Sequence, residues 1–277
     1  MADQLAEVKD FWEGNPLFSG ESDYELGSHE FFQDHSKAYY DDVFAGSFDA
    51  NKFIPMNLKN ANVLDLGCGV GFWTIEIQKH RQCKSFYCGD LTQKALDTTQ
   101  KRLDLNEMAA NLSIQNAEQL TYESNFFDHI NCQGVIHHTP NTDNAIKEIA
   151  RVLKKDGTAS ISVYYRNFLL RNWTSFSIIG KLLSKLGGGL KGRGRENIFS
   201  EKNPDEITRL YDGDKNPIGK SYTKNEIIEM VSPYFHVNKT FPFFFSARSM
   251  PFSIPRFLHR WLSNYLGFMI HLNLIKK

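Results

Sequence analysis

Cysteine is scarce in this sequence. None of the four, Cys68, Cys83, Cys88 and Cys132, stands in a C-x-x-C pair or at zinc-site spacing. That argues against a disulfide framework and a structural metal site, and leaves reduced thiols of an intracellular, cytoplasmic protein. No apolar run reaches roughly 18 residues, so no transmembrane helix is expected. The opening MADQLAEVKD is polar and acidic, unlike a secretory signal. Acids are missing from two stretches. Residues 166–195 hold Arg166, Arg171, Lys181, Lys185, Lys191, Arg193 and Arg195 with no acid among them, and no acid follows Glu229. The balancing acids crowd the other end: residues 1–60 hold twelve acids and four bases, an excess of eight negative charges in a chain of net charge zero. Such asymmetry points to an anionic partner near the basic end, or to pairing between the two ends.

What is present, from about 61 to 165, is alternation. "NVLDLG" reads as a buried strand stopping at glycine, "FWTIEIQKH" as a helix, and "SFYCGD" as a second strand ending in an acid. Thr92 can cap "QKALDTTQKRLDLN". "LSIQNA" and "FDHINCQG" read as the third and fourth strands. Asn141 or Thr142 starts the helix "DNAIKEIARVL", Asp156-Gly157 makes a turn, and "TASISVYY" is the fifth strand. This order predicts an α/β fold with a doubly wound, Rossmann-like sheet, its ligands at the carboxyl ends of the strands. Helices over 3–12 and about 28–42, the second capped by Ser28, form an N-terminal cover over 1–60. Residues 166–222 interrupt the alternation as a lid insertion, with a flexible "GGGLKGRGRE" and a turn-rich "YDGDKNPIGKSY". Over 223–277 the sheet is completed. Thr223 caps "KNEIIEMVSPY", and "FHVNKTFPFFF" and an antiparallel last strand "GFMIHLNLIKK" flank a second basic, aromatic insertion.

The densest motif is "VLDLGCGVGFW", residues 63–73. Glycines at every second position after a strand bring bare backbone N–H groups up to a ligand. The dinucleotide pattern G-x-G-x-x-G is not met, because Phe72 stands at its third glycine; the match is D-x-G-x-G-x-G. A carboxylate at Asp65 would repel a pyrophosphate and suits a cationic ligand. With "GD" at 89–90, "NAEQL" at 116–120, "FFDHINCQGVIHHTP" at 126–140 and "EIARVLKKDG" at 148–157, residues 61–165 resemble the class I S-adenosylmethionine-dependent methyltransferases, in a small-molecule branch. The resemblance implies S-adenosylmethionine as cofactor and S-adenosylhomocysteine as product. It implies that Gly67, Gly69 and Gly71 lie against the methionyl part and ribose and that Asp65 faces the ammonium. Asp90 would accept the ribose hydroxyls and Leu91 pack on adenine. Asn116, often Asp in the family, would bond the adenine amino group beside the backbone of Ala117, and Gln133 would offer its backbone carbonyl.

Methyl transfer from a sulfonium needs mainly proximity, alignment and exclusion of water, and a base only if the acceptor holds its proton. The acceptor is therefore not written in a motif. His137 and His138 follow the fourth strand, and His138 is the candidate base. A tyrosine, Tyr39 or Tyr40, is expected to close over the cofactor, Tyr39 being the first candidate; Trp12 and Tyr24 are further candidates. From the lid, Arg166, Tyr211 and Tyr222 are expected at the acceptor. The primary expectation is transfer to a small polar or anionic metabolite, without nucleic acid. The alternatives are a sugar, lipid or quinone precursor at a membrane, an RNA acceptor, and a non-catalytic module that binds S-adenosylmethionine. Peripheral membrane or anionic-ligand contact stays open through 166–195 and 246–277.

Overall fold

The computed structural model describes residues 2–190, 192–196 and 198–277. Lys191, one of the bases counted above, lies outside them. Among the described residues eight strands form one sheet: β1 Asn62–Leu66, β2 Ser85–Asp90, β3 Asn111–Ile114, β4 Phe127–Gln133, β5 Leu153–Tyr165, β6 Ser221–Tyr222, β7 Phe235–Phe243 and β8 Met269–Lys276. The path is β3-β2-β1-β4-β5-β8-β7, with β6 paired to β5. Strand order reverses between β1 and β4. Only β8 runs against its neighbours, as expected for the last strand.

The helices are α1 Ala2–Gly14, α2 His29–Ala38, α3 Ala50–Phe53, α4 Phe72–His80, α5 Gln93–Leu105, α6 Thr142–Val152, α7 Phe168–Arg171, α8 Trp173–Lys185, α9 Pro204–Leu210, α10 Lys224–Val231 and α11 Arg256–Leu266. Their starts follow local chemistry. The side chains of Ser28, Thr92 and Asn141 accept from Phe31, Ala95 and Asn144 N–H groups, and Thr223 forms a capping box with Glu226. The sheet is covered on both faces. Ile146 and Ile149 of α6 pack with Ile227 and Val231 of α10 against Ile130 and Ile161. On the other face Phe72, Trp73 and Ile77 of α4 join Phe53, Ile54 and Val63. These two apolar layers hold the strand ends rigid, which is what a site built on loops requires.

Three details differ from the sequence reading. The third strand ends at Ile114, before Asn116 turns the chain by accepting from Glu118 N. Asp156-Gly157 sits inside β5, where pairing with β4 skips from Leu153 to Thr158 and Asp156 takes φ 60°. The turn-rich segment before Thr223 ends in β6, which continues beside β5 at Tyr164 and Tyr165 after β4 has stopped pairing at Ser162.

Candidate functional site

The loops at the carboxyl ends of β1 to β4 converge on a cavity. Gly67 and Gly69 follow β1, Leu91 follows Asp90 at the end of β2, Asn116 and Ala117 follow β3, and Gly134 follows Gln133 at the end of β4; all line it. Leu5, Val8 and Trp12 of α1, with Leu17, roof it. Two glycines here have separate causes. Gly67 has φ 72°, and a Cβ would lie 2.2 Å from a Val135 methyl, so glycine lets the loops after β1 and β4 touch. Gly69 has φ 55°, and a Cβ would meet only Leu17 at 3.9 Å. Its left-handed φ, not a crowded neighbour, favours glycine there, and the residue lines the cavity.

Asp90 is held by its own surroundings. Oδ2 accepts from Gly69 N at 3.0 Å, and Oδ1 from Thr92 N at 3.0 Å and Thr92 Oγ1 at 2.9 Å. Burial pushes its carboxyl pKa upward, and the backbone donors oppose this. Gln133 turns its side chain inward to Asn131 and Ser160, while the residue still lines the cavity.

Asp65 and Gly71 are not on this wall. Gly71 starts α4. Asp65, 2% exposed, accepts from Thr74 Oγ1 at 2.6 Å and from Asn131 Nδ2 at 2.8 Å. Burial pushes its pKa up to about 6 despite those hydrogen bonds. A folded-state value above the ordinary 3.8 means stability that is full below about pH 4 and lost as pH rises through about 6. The loss is about 2–3 kcal/mol. Asp65→Asn lacks this titration, so it should gain on the wild type across that window. Urea midpoints of both proteins at pH 4 and pH 7 check this; midpoints that move in parallel would refute it.

A second cavity adjoins the first, sharing Trp12, Leu17, Gln133, Gly134 and His138 as walls. Its body is aromatic and apolar: Tyr39, Trp73, Tyr164, Tyr211, Phe243, Phe244 and Met269. His138 Nδ1 lies 2.6 Å from Ile218 O, and Nε2 lies 3.3 Å from Asp212 Oδ2. Asp212 also accepts from the Tyr164 hydroxyl. Glu21 pairs with Arg195 at 3.1 Å and with Arg248 at 2.6 Å, and Arg248 Nε reaches Asp42 at 3.2 Å. Both arginines are thus committed to carboxylates. Four buried polar atoms on this wall have no hydrogen-bond partner among the described residues: His35 Nε2, both ring nitrogens of His137, and Ser162 Oγ. Burial, with the Arg102 and Arg248 charges at His35 and the His138 and Lys220 charges at His137, holds both imidazole pKa values well below the ordinary range. Buried polar groups are rarely left unpaired, since each costs about 1–3 kcal/mol. All four belong to residues that line this one chamber.

Residues 64–161 match the family model described as "Methyltransferase domain". A SAM-dependent methyltransferase from Methanosarcina mazei shares the fold with TM-score 0.53 at 15% identity, over 82% of this chain and 95% of that one.

The core is a methyltransferase domain.

Over this methyltransferase core the chain is 29% identical across 113 residues to a ubiquinone biosynthesis O-methyltransferase of Coxiella burnetii, covering 41% of this chain and 47% of that protein. It is 34% identical across 98 residues to a demethylmenaquinone methyltransferase of Lactiplantibacillus plantarum, covering 34% and 41%. The chain therefore spans about half or less of the curated relatives it matches.

Around the methyltransferase core, the expected acceptor residues divide. Tyr39, His138 and Tyr211 line the second cavity, and burial pushes the Tyr39 pKa up to about 12. Tyr40 instead packs on Phe48 and Phe72, and Tyr24 is exposed. Arg166 is not at this cavity: it bonds Asp205 at 2.9 Å and Ser221, near Tyr222, which bonds Thr142. Its place is set by β6, which carries this part of the insertion past the strand ends. Glu21, His35, Ser162, Tyr164, Asp212 and Arg248 were not anticipated. Tyr164 and Ser162 lie near the carboxyl end of β5 and obey the strand-end rule; the others have no sequence signal. The "GRGRE" stretch, read as flexible, carries a buried pin. Arg195 is 2% exposed and also donates to Tyr211 O, while Arg193 donates to Pro16, Ser19 and Asp212 carbonyls.

Proposed function

We propose that this chain transfers a methyl group from S-adenosylmethionine, held in the first cavity, to a small polar acceptor in the second. The observation that carries the reading is the shared wall at Gln133, Gly134 and His138, which sets the two cavities side by side. The residues fit the donor. Gly69 leaves backbone bare, Asp90 presents a fixed carboxylate suited to a ribose diol, and Leu91, Asn116 and Ala117 form an edge suited to a purine. Asp65 would act one layer behind, fixing the β1–β4 strand ends through Thr74 and Asn131. When bound, the donor supplies an electrophilic methyl on a sulfonium.

The chain's own work is then to exclude water, align the acceptor and take its proton. His138 Nε2 is the acceptor's base, and Asp212 stabilises the imidazolium that forms. That assignment favours a hydroxyl acceptor. An anionic acceptor is disfavoured, because Arg195 and Arg248 are already paired and His35 and His137 are held neutral. A quinone-related ring is a second reading, favoured by the chamber's aromatic body and by the names of the two relatives.

Calorimetry checks the donor: S-adenosylmethionine or S-adenosylhomocysteine should bind and NAD should not, and the opposite result would sink the reading. Asp90→Ala should weaken donor binding about 10- to 150-fold, the roughly 1.5–3 kcal/mol of a charge-assisted hydrogen bond. An unchanged dissociation constant in the folded variant would reduce Asp90 to a helix-start acid. Formation of S-adenosylhomocysteine against pooled hydroxylated metabolites then identifies the acceptor.

A further inference from the structure

Helix α11 is amphipathic in the inverted sense. It turns His259 and Ser263 inward, where His259 Nε2 lies 2.7 Å from Phe245 O and Ser263 Oγ accepts from Phe245 N at 3.1 Å. Phe257, Trp261 and Tyr265, four residues apart and so on one stripe, face solvent; Phe257 is 76% exposed and Trp261 53%. Helix α8 also exposes Ile178 and Leu182, followed by Leu186 just past its end, and Ile178 is 78% exposed. The segments that carry the two helices, 167–189 and 249–267, are tied to each other near both ends. Asn167, at the start of α7–α8, donates to Leu266 O and Gly267 O at the end of α11. Gly189, just past α8, donates to Ser249 O at 2.8 Å, shortly before α11 begins. Neither helix contains an acid. Lys181 and Lys185 are exposed and form no ion pair among the described residues.

We propose that α8 and α11 together form a surface that docks on an anionic lipid bilayer. Two aromatic and aliphatic stripes kept in water are a cost that burial in an interface removes, and tryptophan and tyrosine favour headgroup depth. The free lysines on α8 supply attraction to lipid phosphates. A second copy of the chain fits less well, since the face offers only bases for ion pairing and a two-fold contact would oppose like charges. The chain would lie on the bilayer, because none of the described helices is long and apolar enough to cross one. The proposal goes beyond the methyl-transfer reading and stands without it.

The test is co-sedimentation of the full chain with vesicles of phosphatidylcholine alone or mixed with phosphatidylglycerol. Binding is expected to the mixed vesicles only and to weaken with salt. Two double variants, F257E/W261E on α11 and K181E/K185E on α8, should each lower partitioning by about tenfold or more, with unchanged thermal melting. All four positions are exposed, and the two pairs sit on different helices, so misfolding of one leaves the other decisive. No binding to the mixed vesicles overturns the proposal, as does binding that both variants retain. A dimer in ultracentrifugation that F257E/W261E dissolves, in a protein that ignores vesicles, assigns the face to a second copy instead and overturns it too.

Discussion

Asp212→Asn is expected to bind the methyl donor with unchanged affinity and to turn over about 100-fold or more slowly. Asp212 lines the second cavity and not the first, so donor affinity should not sense it. Its carboxylate lies 3.3 Å from His138 Nε2, where a proton taken from the acceptor would arrive. Removing the charge removes the stabilisation of that imidazolium, and loss of acid–base assistance typically costs about 10²- to 10⁴-fold. The discriminating control is a more acidic acceptor. One that is ionised before it binds needs no base, so the deficit should shrink with it. A deficit that stays constant across acceptors of different acidity would mean that Asp212 only shapes the chamber.

The second large effect concerns stability. Arg195→Ala should lower unfolding free energy by about 3 kcal/mol, because it takes from Glu21 one of its two guanidinium partners. Arg195 holds Glu21 of the N-terminal segment and the Tyr211 carbonyl at once. Arg248 still reaches Glu21, which places the expected cost at the lower end of such changes. Urea unfolding should show a lower midpoint with an unchanged slope. A midpoint within error of the wild type would show that the glycine-rich stretch is held elsewhere.

What could be read in the sequence, and what could not, follows from how far each feature reaches along the chain. Strand, glycine loop and helix over 62–80 are one local pattern, and Asp90 is placed by the strand that it ends. Asp65 was legible as a carboxylate before the glycines but not in its direction. Only the fold brings Thr74 and Asn131 onto it. The chamber's polar set was less legible still, because Glu21, His35, Asp212 and Arg248 come from segments scattered from 21 to 248. The glycines of 187–195 announced backbone freedom; composition carries no sign of which carboxylate Arg195 would find.

The shared roof has a kinetic consequence. One continuous stretch, Leu5 to Glu21, covers the first cavity with Leu5, Val8 and Trp12 and walls the second with Trp12, Leu17, Phe18 and Glu21. On the proposed reading, a movement of this stretch that uncovers one cavity uncovers the other, so release of the acceptor and exchange of the spent donor would be coupled.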